Sequence, residues 1–202
     1  EGLLSLAEKF EVTLAGGDTN CWTGPLVISV TLVGQTTNRG PLTRCGAKPG
    51  DQLLVTGELG GSITQKHLTF MPRVREALQL NRDYQLNAGM DVSDGLALDA
   101  ARMATESKCG FALDLAAIPI SAEAIRQANQ HADRSALERA LSDGEDFELL
   151  LTAPAAEAKR IVANQPLDIP ITRIGECVEE LGLWKREDGG TLVPLPPRGF
   201  EH

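Results

Sequence analysis

The stretch Leu183-Trp184-Lys185-Arg186-Glu187-Asp188-Gly189-Gly190-Thr191-Leu192-Val193 reads as two short strands joined by a tight Asp-Gly-Gly turn. Such a hairpin sets neighbours in sequence side by side and antiparallel, which a strict βαβ repeat does not do. Working outward, residues 171–178 form another strand pattern, 155–163 an alanine-rich helix and 147–152 a dense apolar strand. Helices are expected over 135–141 and from Ser121 onward, and a strand over 111–115. A strand at 90–92 leads into a helix through Leu96, Ala97, Ala100, Ala101 and Ala104, with Ser93 or Asp94 as its cap. Before that come a strand at 52–58, glycine breaks at Gly57, Gly60 and Gly61, a short helix near 62–67 and a helix from Pro72 through Leu78. Strands and helices alternate irregularly. The expected class is α+β, with a mixed or antiparallel sheet and helices.

The N-terminal stretch has its own pattern. Leu3, Leu4, Leu6, Ala7 and Phe10 are spaced as on a helix, and short strands are expected at 12–15 and 25–33. In the second, Leu26, Ile28, Val30 and Leu32 share one face. One helix and two strands bury too little to form a core. Residues 1–34 are therefore expected to be the tail of a domain whose beginning is absent, and residues 35–202 a domain of their own, joined near the polar stretch 35–40. No repeat or low-complexity segment appears.

Composition narrows the function. The 202 residues are 42% hydrophobic and 23% charged, ordinary values for a chain with a packed core. No apolar run approaches the roughly 18–20 residues that span a bilayer, and residues 1–12 lack a basic leader, so neither membrane insertion nor secretion is expected. A net charge of −9 and 4% aromatic residues argue against a nucleic-acid groove. Cys21, Cys45, Cys109 and Cys177 are scattered, so they are expected as four separate thiols in a reducing cytoplasm. His67, His131 and His202 make no ligand pair. What remains is an acidic protein acting on small molecules.

Three segments mix acids with glycines. Gly16-Gly17-Asp18-Thr19 would let the backbone approach an anion while Asp18 reaches a hard cation, or it is a plain cap. Asp91-Val92-Ser93-Asp94-Gly95-Leu96 places two carboxylates at a strand–helix junction, where they cap the helix or hold Mg²⁺ against a phosphate. Asp143-Gly144-Glu145-Asp146-Phe147-Glu148 crowds four acids before an apolar strand, suited either to a cationic ligand or metal or to a solvated turn. Arg44 is a phosphate clamp or a surface ion pair. There is no P-loop, no Ser-His-Asp set and no reactive-cysteine signature. The set suits phosphoryl transfer in which metals neutralise the phosphates.

These segments, with Leu42-Thr43-Arg44-Cys45-Gly46-Ala47-Lys48-Pro49-Gly50-Asp51, Gly144-Glu145-Asp146-Phe147-Glu148-Leu149-Leu150 and the terminal Gly199-Phe200-Glu201-His202, resemble in order those of the thiamine-monophosphate kinases. That family belongs to the superfamily of aminoimidazole ribonucleotide synthetase. The resemblance implies a domain of the synthetase-like C-terminal type at 35–202, and at 1–34 a remnant of an N-terminal ATP-binding and dimerisation domain. It implies ATP- and Mg²⁺-dependent phosphorylation of thiamine monophosphate to the diphosphate, by a cytoplasmic homodimer. Carried over by motif, Asp18, Asp91 and Asp94 are expected Mg²⁺ ligands, with Asp94 also catalytic. Gly17, Asp18, Arg44 and Ser93 are expected ATP contacts, and Glu145 and Phe200 expected contacts of the thiamine phosphate. Without the rest of the N-terminal domain, the chain alone is expected to be inactive. The alternatives are another ATP-dependent enzyme of the superfamily, or a non-catalytic binding module derived from it.

Overall fold

A computed structural model describes residues 2–131 and 133–200. Positions 201 and 202 of the terminal Gly-Phe-Glu-His motif lie outside the described residues. The chain divides into two compact units, residues 1–35 and 36–202.

The first unit holds helix α1 (Gly2–Lys9). Its remaining residues, 10–35, belong to no helix or strand, so the strands expected at 12–15 and 25–33 are absent. Leu26, Ile28, Val30 and Leu32 stand exposed, as do Val27 and Val33. Alternation marks a surface fit for a half-buried strand, but a strand exists only with a ladder partner. Among the described residues this unit supplies none.

The second unit runs β1 (Gln52–Thr56), α2 (Lys66–Thr69), α3 (Val74–Asp83), β2 (Ala88–Asp91), α4 (Leu96–Ser107), β3 (Gly110–Leu113), α5 (Ala122–Gln130), α6 (Ala136–Ser142), β4 (Leu149–Ala153), α7 (Ala155–Asn164), β5 (Ile171–Val178), β6 (Gly182–Arg186) and β7 (Leu192–Pro194). All the strands share one sheet in the order β2-β4-β1-β5-β3-β6-β7. Among these strands, only β3 and β6 pair in parallel. The hairpin is present, with Lys185 opposite Val193. The fold is α+β with a mixed sheet, as the irregular alternation predicts.

Both faces of the sheet are covered around its β4-β1-β5 centre. Leu53, Val55 and Leu150 point into a core with Leu96, Ala100 and Met103 of α4 and Ala140 of α6. Leu54, Leu151 and Ile171 point the other way, against Leu80 of α3 and Ile161 of α7. Each fully buried leucine contributes about 2 kcal/mol of transfer free energy, so this two-sided burial sets the register of the central strands. Strand β4 begins two residues later than the apolar run suggests. Glu145 and Phe147 have φ of 55° and 50°, a left-handed conformation that interrupts the extended chain.

Acidic side chains fasten the loop after β1 to the segment before β4. Glu148, 1% exposed, accepts from Thr56 Oγ1 at 2.8 Å, Lys66 Nζ at 2.9 Å, and Arg73 Nε and Nη2 at 2.9 and 2.8 Å. A Cβ at residue 57 would sit 2.4 Å from that carboxylate, so the approach needs Gly57. Asp146 accepts from Gly60 N at 2.9 Å and from the Ser62 hydroxyl. Asp143 takes the Gly61 N–H at 3.1 Å and pairs with Arg134 at 2.8 Å. Phe147 stacks on Phe70, ring centres 4.0 Å apart. Neither sequence reading of this acidic run describes these three carboxylates. The protein's own cations and backbone N–H groups occupy them, and only Glu145 of the four acids is exposed.

The cysteines correct a second expectation. Cys21 and Cys45 are exposed, whereas Cys109 and Cys177 are buried with sulfurs 2.8 Å apart, so the four thiols are not all separate. Burial pushes both buried thiols above the usual range, which keeps them protonated and unreactive at neutral pH. Iodoacetamide is expected to label Cys21 and Cys45 in the native protein, and Cys109 and Cys177 only after unfolding. Peptide mapping by mass spectrometry checks this, and native labelling of Cys109 or Cys177 contradicts it.

Burial also raises the Asp146 carboxyl from 3.8 to about 6, against the opposing Ser62 and Gly60 hydrogen bonds. Its contribution is then fully present below the unfolded value and is lost as pH rises through about 6. Glu148 has the opposite sign. Burial alone would raise it, but Arg73 and Lys66 together hold it low, so its contribution fades only as pH falls. Relative to Asp146→Asn, the wild type is expected to lose roughly 2 kcal/mol between about pH 4 and pH 7. Urea denaturation of both proteins across that range measures it, and a constant difference would refute the assignment.

Candidate active site

The turn between β2 and α4 gathers most of the expected residues. Asp91 ends β2 and is exposed; Ser93 and Asp94 are half-buried. Neither Ser93 nor Asp94 caps α4. The cap position is Gly95, with φ of 112° and no side-chain hydrogen bond. A Cβ there would lie 3.0 Å from the Cα of Ser142, so only glycine lets the turn rest on the end of α6. The N–H groups of Ser93 and Asp94 donate instead to Asp99 Oδ2, both at 2.9 Å. Asp99 is wholly buried in the first turn of α4. Burial raises its carboxyl above the usual range, against these two N–H groups.

The carbonyls of the turn reach two other segments. Ser93 O accepts the Glu145 N–H at 2.7 Å, and Asp94 O accepts the Phe200 N–H at 2.8 Å. Gly144 and Gly199 allow the contact, since a Cβ at either would lie 2.9 or 2.3 Å from those carbonyls. The side chains of Glu145 and Phe200 remain exposed. A cleft of ≈ 850 Å³ adjoins this corner, lined by Ala97, Leu141, Ser142, Leu195, Arg198 and Gly199 among others. The structure thus brings Asp91, Ser93, Asp94, Glu145 and Phe200 to one corner of the second unit.

Other expected residues lie elsewhere. The Arg44 carbonyl accepts from Ser107 Oγ at 3.0 Å, at the last residue of α4, and its side chain is exposed. The twelve residues of α4 span about 18 Å, so the Arg44 main chain lies at the far end of that helix from Asp94. Gly17 and Asp18 belong to the first unit. There Asp18 accepts from Thr19 N at 2.9 Å and Asn20 Nδ2 at 3.1 Å.

The sequence reading missed Asp99 and Arg102. Arg102 Nη1 touches Asp94 Oδ2 and lies 3.1 Å from Asp99 Oδ1. The signal was an acid in the first helical turn followed three residues later by an arginine, the spacing of a helical ion pair. Among the described residues no group of three or more His, Cys, Asp and Glu side chains is placed to hold a metal. Asp91 and Asp94 nonetheless fit a hard cation in kind. They are oxygen donors three residues apart, and the Arg102 guanidinium already stands where a cation would meet Asp94. Mg²⁺ commonly takes only one or two carboxylates and completes its shell with water and phosphate oxygens.

Comparisons with known proteins identify the family. Residues 48–183 match the family described as AIR synthase related protein, C-terminal domain. A thiamine-monophosphate kinase of Rhodopirellula baltica is 44% identical over all of this chain, which spans 63% of that protein. The one of Escherichia coli is 33% identical, again over all of this chain and 67% of its own length. A solved structure described as AaThiL complexed with AMPPCP and TMP superposes with a TM-score of 0.66 at 29% identity, covering 80% of this chain and 54% of that one. No helix among the described residues is long and apolar enough to cross a membrane. From an AIR-synthase-type C-terminal domain and end-to-end similarity to these kinases, the chain belongs to the thiamine-monophosphate kinase family.

Proposed function

We propose that this chain is part of an enzyme that transfers the γ-phosphoryl group of ATP to thiamine monophosphate, giving thiamine diphosphate. The observation that carries the reading is the turn at 93–94, whose carbonyls bind the backbones of Glu145 and Phe200 and so place an acid, an aromatic ring and two aspartates together. The relatives' names supply the reaction, and AMPPCP, an ATP analogue, appears with TMP in the description of a similar structure.

The acceptor is itself a phosphate, already an oxyanion at neutral pH, so no strong base is required. Catalysis reduces to alignment and to offsetting crowded negative charge. Mg²⁺ held by Asp91 and Asp94 would supply that charge when bound, and Asp18 of the first unit is read as a further Mg²⁺ ligand from its motif alone. Asp94 is the catalytic carboxylate of this set, since its side chain would meet the cation while its carbonyl holds the backbone of Phe200. Ser93 offers its hydroxyl to the nucleotide phosphates, and Gly17 and Arg44 are read as nucleotide contacts from their motifs alone. Glu145 faces the positive thiazolium ring, and Phe200 offers a flat apolar surface to the aromatic end. Residues 1–34 we read as part of the nucleotide-binding and dimerisation domain, supported by their Gly-Gly-Asp-Thr motif and the exposed alternating segment that follows. A homodimer working in the cytoplasm completes the reading.

In the full-length protein, Asp91→Asn is expected to lower thiamine diphosphate formation at least about 100-fold with little change in melting temperature, because Asp91 is exposed. Unchanged turnover would remove the metal role. Glu145→Gln is expected to raise KM for thiamine monophosphate several-fold while leaving KM for ATP nearly unchanged. An equal rise in both constants would refute the thiazolium contact.

A further inference from the structure

We propose that Arg102 is a built-in counter-cation for Asp94 that a divalent cation must displace, and that Asp99 is the positioning residue that tethers it. The inference rests on the reading that Asp94 meets a divalent cation.

One nitrogen of Arg102, Nη1, reaches both carboxylates. The two acids are not equivalent. Asp99 is fully buried, and its Oδ2 is already committed to the backbone of Ser93 and Asp94, leaving Oδ1 for Arg102. Its position is therefore fixed. The Asp94 side chain is 14% exposed and belongs to the turn that Asp99 holds. Arg102 itself is 39% exposed, so turning its guanidinium off Asp94 leaves it on Asp99 with its free side open to water and creates no buried unpaired charge. A guanidinium does not lose its proton in a protein, so raising the pH cannot clear it from Asp94. At neutral pH a competing cation can. When that happens, Asp99 still holds the same nitrogen, and the freed positive charge stays beside the turn. The pair therefore lowers the affinity of Asp94 for a bare metal ion and leaves a cation close by when the metal arrives with an anionic ligand.

The test uses Mn²⁺ alone, followed by electron paramagnetic resonance, with folding checked by thermal melting. Arg102→Met is expected to bind Mn²⁺ roughly fivefold more tightly than the wild type, the scale of a partly exposed ion pair. Arg102→Lys should restore near wild-type affinity, and adding Asp94→Asn to Arg102→Met should abolish the gain. In an Asp99→Asn background the same Arg102→Met change should yield less than about a twofold gain, because the guanidinium is no longer anchored. Equal or weaker binding by Arg102→Met, or no binding by any variant, overturns the counter-cation. A full fivefold gain in the Asp99→Asn background overturns the tether. The two readings separate cleanly. A kinase with no tightening in Arg102→Met refutes this inference alone, whereas tightening in a protein that makes no thiamine diphosphate refutes the reaction alone.

Discussion

Main-chain hydrogen bonds carry the β2–β4 pairing past the ends of both strands, and the candidate site is hung on them. Asp91 faces Leu149 in the ladder. Beyond it, Val92 N donates to Glu148 O at 2.8 Å, Phe147 N to Val92 O at 2.8 Å, and Glu145 N to Ser93 O at 2.7 Å. A loop paired in this way cannot shift without breaking bonds in a partly desolvated place, where each unmade one costs about 1–3 kcal/mol. The register of two strands thus dictates which residue of the acidic run stands beside Ser93. It is Glu145. The left-handed turns at Gly144, Glu145 and Phe147 follow from the same demand, since the chain must keep its main-chain partners while sending Asp146 and Glu148 inward.

The sheet was legible because its signals are local. Apolar alternation and the Asp-Gly-Gly hairpin placed β5, β6 and β7, and serine caps placed α5 and α6, where Ser121 and Ser135 accept from Ala124 and Glu138. What failed needed a distant partner. The run at 25–33 has the alternation of a strand, yet no property of one segment reveals whether another pairs with it. The cap of α4 failed for a related reason. Ser93 and Asp94 stand where a cap is expected, but the carboxylate that serves those N–H groups lies inside the helix, at Asp99. Motif order singled out Asp91, Asp94 and Glu145, which the fold brings to one corner. It could not find Arg102, whose role comes from a bend that returns the chain to its own first turn.

The acidic run shows why counting carboxylates misleads. At −9 the chain has far more acids than cations, so clusters of Asp and Glu invite a metal reading wherever they occur. Burial decides between them. The side chains of Asp143, Asp146 and Glu148 are buried, and each has partners within the fold: Arg134 and the Gly61 N–H for Asp143, the Gly60 N–H and the Ser62 hydroxyl for Asp146, and Arg73, Lys66 and the Thr56 hydroxyl for Glu148. A carboxylate so partnered has little left to offer a ligand, and removing it would leave its donors unpaired. Within the second unit's two acidic segments, Glu145 and Asp91 are the exposed ones.

Asp94 lies between these two classes, and that is what makes it informative. Its partner is a protein cation, as for the structural acids, but that cation is itself partly in water and is held by a second, buried acid. A pair of this kind is weak enough to exchange and close enough to fill the position when nothing else does. Structural carboxylates are paired so that they cannot be released. The pairing of Asp94 holds it in place while leaving release possible, and this difference separates a site from a staple within one acidic surface.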